Sequence, residues 1–218
     1  NSPSNPTGWV ADRQTLASLL ELARRRGLWI IADEVYARFV PEGMSRAPSF
    51  MDVADPEDLV LYVNTFSKNW AMTGWRIGWL SGPPVIGQTV ENLIQYATSG
   101  VAQFMQAAAL AAIEEGEPFL AEQRARADAG RRIVTEALAA SGRVRMAEPK
   151  GAFYLFFGIE GYPDSRALAK RIVAETGVGL APGIAFGDAG EGFLRLCFAR
   201  SPRHLEEAGE RLFNWITR

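Results

Sequence analysis

Two short apolar runs constrain this chain more than anything else in it. Leu28-Trp29-Ile30-Ile31-Ala32 and Leu59-Val60-Leu61-Tyr62-Val63 show no apolar/polar alternation. A strand with one wet face alternates, so unbroken runs are expected of strands covered on both faces, as in sheets layered between helices. Ahead of the first run, Leu16, Leu19, Leu20 and Ala23 recur at helical spacing, with Asp12 suited to the helix start and Gly27 to its stop. Helix, strand and strand in this order predict an α/β layered sheet. A third strand is expected over 76–80, followed by helices near 85–97, 102–115 and 118–141. After Gly142, short strands near 143–146, 152–157 and 193–198 interleave with helices at 165–176 and 202–216. The expected organisation is a larger α/β portion over 1–116, a long connecting helix over 117–141, and a smaller α+β domain over 142–218.

Composition removes several function classes. At 218 residues, with 48% hydrophobic and 22% charged residues, the chain has ordinary globular make-up. A net charge of −2 offers no electrostatic case for a nucleic-acid or anionic-membrane partner. The single cysteine, Cys197, excludes an internal disulfide and fits a reducing compartment such as the cytoplasm. With one histidine, His204, nothing resembles a zinc site. The stretch Val101–Ile113 is short and broken by Gln103 and Gln106, so it reads as a buried helix and not a membrane span. The opening residues, Asn1-Ser2-Pro3-Ser4-Asn5-Pro6-Thr7-Gly8, include no initiator Met and read as the interior of a longer protein.

Chemistry gathers where the apolar runs stop. Asp33 and Glu34 follow the first run; Thr65, Ser67 and Lys68 follow the second. Ligands of open α/β sheets bind outside the carboxyl ends of the strands, so neighbouring strands would bring an acid and a lysine to one crevice. The same residues fit an Asp–Lys ion pair or two solvated loop charges equally well. Arg195, alone among apolar neighbours in Phe193-Leu194-Arg195-Leu196-Cys197-Phe198, is expected to be partly buried and to need an anion. That anion is either an internal Asp or Glu or a ligand carboxylate held bidentately. Arg76 lies eight residues past Lys68, and the stretch Asn69–Trp75 holds no acid. With the hydroxyls of Thr65, Ser67 and Thr73 nearby, two such cations suit a phosphate. Neither a Walker loop nor a dinucleotide fingerprint is present.

In their order along the chain, Asn5-Pro6-Thr7-Gly8, Ala32-Asp33-Glu34-Val35-Tyr36, Thr65-Phe66-Ser67-Lys68 and Met72-Thr73-Gly74-Trp75-Arg76-Ile77-Gly78 resemble the class I/II aminotransferases of pyridoxal-phosphate fold type I. Lys150-Gly151-Ala152-Phe153-Tyr154, Ala181-Pro182-Gly183 and Leu194-Arg195-Leu196 continue the likeness. The resemblance covers the family's later half. It implies pyridoxal 5′-phosphate as cofactor, with Lys68 as the Schiff-base lysine and acid/base. It implies Asp33 as partner of the ring nitrogen, and Tyr36 and Asn5 as donors to the ring phenolate oxygen. Arg76, Thr65 and Ser67 are implied as phosphate ligands, and Arg195 as the clamp for the substrate α-carboxylate. The implied reaction moves an amino group between an amino acid and a 2-oxo acid, in a homodimer. The same residues also suit a lyase or decarboxylase of this fold, or an effector-binding domain of a transcription regulator. Because the family carries further phosphate contacts and a ring-stacking residue upstream, the chain alone is expected to bind the cofactor weakly and to turn over slowly or not at all.

Overall fold

The computed structural model describes all residues, Asn1–Arg218. By backbone proximity the chain divides into two compact units. The first comprises Asn1–Pro3, Val10–Val40 and Met44–Glu122; the second comprises Ser4–Trp9, Pro41–Gly43 and Gln123–Arg218.

In the first unit, helix α1 (Arg13–Arg26) starts where the Asp12 side chain accepts from the Thr15 amide, satisfying one orphan N–H of the first turn. It ends at Gly27, whose φ of 61° is the left-handed stop that a residue without Cβ adopts cheaply. Strands β1 (Ile30–Asp33) and β2 (Val60–Thr65) pair in parallel, with Asp33 opposite Val63. Strand β3 (Gly78–Ser81) joins β2 antiparallel, giving the order β1-β2-β3. Leu16 and Leu20 of α1 pack with Ala32, Phe50, Val60 and Tyr62 to form the core on one face of this sheet. Helix α2 (Phe66–Asn69) is a single turn after β2; helices α3 (Gly87–Thr98) and α4 (Gln103–Glu115) follow. A second cluster joins Phe66, Met72 and Ile77 to Ala109 of α4. Helix α5 (Glu117–Ala139) begins in the first unit and continues into the second.

The second unit is a four-stranded antiparallel sheet with helices. Strands β4 (Val144–Met146), β5 (Tyr154–Ile159), β6 (Ala181–Pro182) and β7 (Leu194–Cys197) lie in the order β4-β5-β7-β6. Helices α6 (Ser165–Thr176) and α7 (Pro202–Ile216) contribute Ile172, Leu212 and Ile216 to the buried set, beside Leu155, Phe157 and Leu194 of the sheet.

Two expectations need correction. The run 28–32 does not yield a strand covered on both faces. Ala32 is buried against α1, whereas Ile31 on the opposite face is 68% exposed. Arg76 does not begin the third strand. Thr73–Trp75 form a 3₁₀ turn, Arg76 closes it in the left-handed region at φ 53°, and pairing with β2 starts at Gly78. A Cβ at Gly78 would sit 2.5 Å from the Asn64 carbonyl oxygen, so the antiparallel approach requires glycine there. No helix is long and apolar enough to cross a membrane.

Candidate active site residues

Parallel pairing of β1 and β2 brings Asp33 and Lys68 to the carboxyl ends of adjacent strands. Asp33 is the last residue of β1 and is half-buried; its Oδ1 accepts from the Val35 amide at 3.3 Å. Lys68 lies in α2, the turn that β2 runs into. Thr65 caps that turn by accepting from the Ser67 amide at 3.1 Å, and its hydroxyl donates to the Ile77 carbonyl at 3.2 Å. Thr65 is therefore engaged in holding α2 in place, and its proton must turn away from Ile77 to meet a phosphate. Ser67 is buried in the same turn.

The ion-pair alternative for Asp33 and Lys68 does not occur. Neither residue takes part in any ion pair, nor does Arg76. The Lys68 ammonium instead faces the ring of Tyr36, 5.6 Å from its centroid, a distance at which the ring quadrupole attracts a cation. Tyr36 is buried, in the turn that leaves β1. Arg76 is exposed, and its Nη1 donates to the Thr73 carbonyl at 3.0 Å. The first unit thus assembles an amine, a carboxylate and a guanidinium, none neutralised by another side chain.

Arg195 belongs to the second unit, on β7, with Leu194 and Leu196 turned into the core and Arg195 on the other face. The internal carboxylate that the sequence left open is absent, since Arg195 makes no ion pair. Its guanidinium lies 4.4 Å from the centroid of Tyr154 and 4.8 Å from that of Phe186. Its Nη1 donates to Asn5 Oδ1 at 2.8 Å, and its buried Nε has no partner. Asn5 is part of this second unit and not of the Lys68 group. Gly8 holds the Asn5 turn on the 149–151 segment: its carbonyl accepts from the Lys150 amide at 2.9 Å, and a Cβ at its φ of 69° would collide with Pro149.

Sequence reasoning missed the two aromatic walls of Arg195. Tyr154 carried a signal once the strands are paired, since Phe156 lies opposite Arg195 and Tyr154 sits diagonally to it on the same face. Phe186 carried none, because it arrives on a glycine-rich loop from outside the sheet. No cluster of His, Cys, Asp and Glu suited to a metal ion exists.

Known proteins resemble the chain along its whole length. The family model "Aminotransferase class I and II" matches residues 1–212. An aspartate aminotransferase of Thermotoga maritima is 38% identical over 216 residues, covering 99% of this chain and 55% of that protein. An aromatic-amino-acid aminotransferase of Thermococcus litoralis is 34% identical, covering 97% of this chain and 55% of that protein. The crystal structure of an aromatic aminotransferase from Pyrococcus horikoshii superimposes with a TM-score of 0.92 at 34% identity, covering 99% of this chain and 58% of that one. The α/β class and the fold type I architecture expected from the sequence agree with these structures, and the chain spans about half the length of the relatives it matches. With its motifs, its fold and the family model in agreement over nearly every residue, the chain belongs to the class I and II aminotransferase family.

Proposed function

We propose that the protein to which this chain belongs moves an amino group between an amino acid and a 2-oxo acid, with pyridoxal 5′-phosphate, the cofactor of this family, held on Lys68. One observation carries the reading: Lys68 and Asp33 sit at the ends of adjacent parallel strands, and neither is paired with any other charge. The residues fit the cofactor's chemistry group by group. Lys68 offers an amine for the carbonyl carbon, Asp33 a carboxylate for the ring nitrogen, and Arg76 a cation for the phosphate, with Ser67 and Thr65 as hydroxyl ligands. Tyr36 and Asn5 are the proposed donors to the ring oxygen. Bound there, the cofactor supplies an electron sink for the bonds at the substrate Cα.

The chain's own residues do the rest. Asp33 keeps a proton on the ring nitrogen because a carboxylate beside it favours the charged form. Lys68 takes the proton from Cα and returns it to the product. Arg195 grips the substrate α-carboxylate. The rings of Tyr154 and Phe186 shield that guanidinium from water without neutralising it, so its attraction for an anion is stronger than at a wet surface. The whole protein is proposed to be a cytoplasmic homodimer, which the family resemblance and the lone cysteine support. The relatives' shared reaction favours amino transfer over elimination, decarboxylation or effector binding in a transcription regulator. The test uses the full-length protein with a panel of amino acids. Amino transfer predicts one equivalent of 2-oxo acid per site without a 2-oxo acid acceptor, and continued turnover once 2-oxoglutarate is added. Continued turnover without acceptor, releasing ammonia or carbon dioxide, contradicts the proposal.

A further inference from the structure

The first unit buries one carboxylate that the reading above leaves without a task. Glu34 is 8% exposed and makes no ion pair. An ionised carboxylate withdrawn from water without a counter-charge costs several kcal/mol, and an apolar side chain of similar volume would be cheaper at such a position. The compensation comes from the short turn Phe50–Asp52. Ser49 Oγ donates toward both carboxylate oxygens, at 2.7 and 2.9 Å, and the Phe50 amide approaches Oε1 at 3.3 Å. Ser49 is itself fixed: its Oγ accepts from the Met51 amide at 3.0 Å, and its amide donates to Asp52 at 2.8 Å. Arg46, paired with Asp52, is the cation whose field reaches Glu34; the Asp52 carboxylate acts on it in the opposite sense, and the Tyr62 hydroxyl also senses it. Burial nevertheless pushes the Glu34 carboxyl above its ordinary range.

The main chain of Glu34 is as tightly held as its side chain. Its amide donates to the Val63 carbonyl at 3.1 Å, extending the parallel ladder past Asp33, and its carbonyl accepts from the Ala37 amide at 2.9 Å, closing the turn that contains Tyr36. Successive side chains of a strand point to opposite faces. Glu34 therefore reaches the side of Ala32 and Tyr62, where α1 and Phe50 pack, while Asp33 is turned to the other side. One residue is gripped from below and is flanked by two of the groups assigned to the cofactor.

We infer that Glu34 is a positioning residue: its bonds to Ser49 and Phe50 fix the turn that aims the Asp33 carboxylate and the Tyr36 ring. It acts through those two residues and touches no cofactor itself. The inference rests on the proposed function for what Asp33 and Tyr36 do, but not for how they are held.

The experiment compares Glu34→Ala, Glu34→Gln and Ser49→Ala with the parent in the full-length protein, in two ways. Hydrogen exchange without cofactor reports the turn directly, because the Val35 amide donates to Asp33 Oδ1 and the Ala37 amide to the Glu34 carbonyl. Titration of the visible absorbance of the Lys68–cofactor linkage reports how well Asp33 is aimed, a property that a loss of stability alone does not move. Glu34→Ala is expected to speed exchange at Val35 and Ala37 roughly 10-fold while β7 amides keep their protection. It is also expected to move the titration midpoint by about half a pH unit or more. Ser49→Ala should do the same to a smaller extent, and Glu34→Gln, which keeps one acceptor oxygen for Ser49, should restore most of both. A folded Glu34→Ala chain with parental exchange and midpoint overturns the inference; if that variant does not fold, Ser49→Ala decides by the same criteria. If the full-length parent protein forms no linkage at any cofactor concentration, the proposed function has failed instead, and exchange at Val35 and Ala37 still decides the role of Glu34.

Discussion

The groups around Lys68 and those around Arg195 solve different electrostatic problems. In the first unit three charged groups, Lys68, Asp33 and Arg76, stand without ion-pair partners at strand and turn ends. In the second unit a single guanidinium is held by two aromatic faces and one amide oxygen. Side-chain ion pairing would have stabilised either set and would also have consumed it. The first arrangement suits a ligand with several charges of both signs. The second suits one carboxylate, taken up where water is largely excluded and hydrogen bonds to a charged group are worth more.

This comparison breaks most plainly on Lys68. Replacing it with Ala should abolish the visible absorbance of bound cofactor entirely, while Arg195→Ala leaves it in place; loss of the band in both variants would mean the two sets are not separable. The reverse holds for substrate. In the full-length protein, Arg195→Ala should raise KM roughly 100-fold for amino acids, equal to about 2.7 kcal/mol, with a smaller change in kcat. Equal losses in both parameters would move Arg195 from carboxylate binding to the chemistry.

A structural substitution sharpens the contrast. Gly183 and Gly190 face each other so closely that a Cβ on Gly183 would collide with the Gly190 carbonyl and lie 2.6 Å from that of Phe193. Gly183→Ala should cost about 1–3 kcal/mol, as other forced overpacking does, seen as a lower Tm for the second unit. It should also loosen Phe186 from Arg195, raising KM without altering cofactor uptake.

The smallest effect is one of acid. Arg46 donates to both Asp52 oxygens, at 2.6 and 2.9 Å, and with the Ser49 amide holds that carboxyl down at about 2 from 3.8. A lowered pKa contributes stability that is present above the unfolded value and lost as pH falls through the folded one. The first unit should therefore weaken between about pH 4 and pH 2, and Arg46→Ala should flatten that part of its acid-unfolding curve. Glu34 acts in the opposite sense. Its raised pKa contributes stability at low pH that disappears as pH rises through the folded value, so Glu34→Gln should gain on the parent chain as pH rises.

Much of this was legible from local rules. Asp12 and Gly27 mark the ends of α1 because capping is decided within a few residues, and α6 and α7 occupy the spans that their apolar spacing indicates. The placement of Lys68 and Asp33 at neighbouring strand ends was legible because polar residues that end apolar runs sit at sheet ends. What escaped depends on distant partners. Whether Ile31 is covered depends on what lies over that face, and nothing in residues 28–32 records it. The left-handed turn at Arg76 has no signature in its own side chain, and the close approach of β3 to Asn64, which needs Gly78, shows only once the strands are paired. Phe186 meets Arg195 only through the folding of a glycine loop, and Asn5 reaches that arginine across 190 positions of sequence.

The most direct test of the central claim is a peptide map. The chain has three lysines, Lys68, Lys150 and Lys170, so borohydride reduction in the presence of pyridoxal 5′-phosphate and digestion can locate the adduct without ambiguity. The pyridoxyl group is expected on Lys68 at the lowest cofactor concentration that labels the chain, and Asp33→Ala is expected to weaken trapping there relative to Lys150 and Lys170. Adduct on Lys150 or Lys170 at equal or lower concentration, or equal labelling of all three, would contradict it.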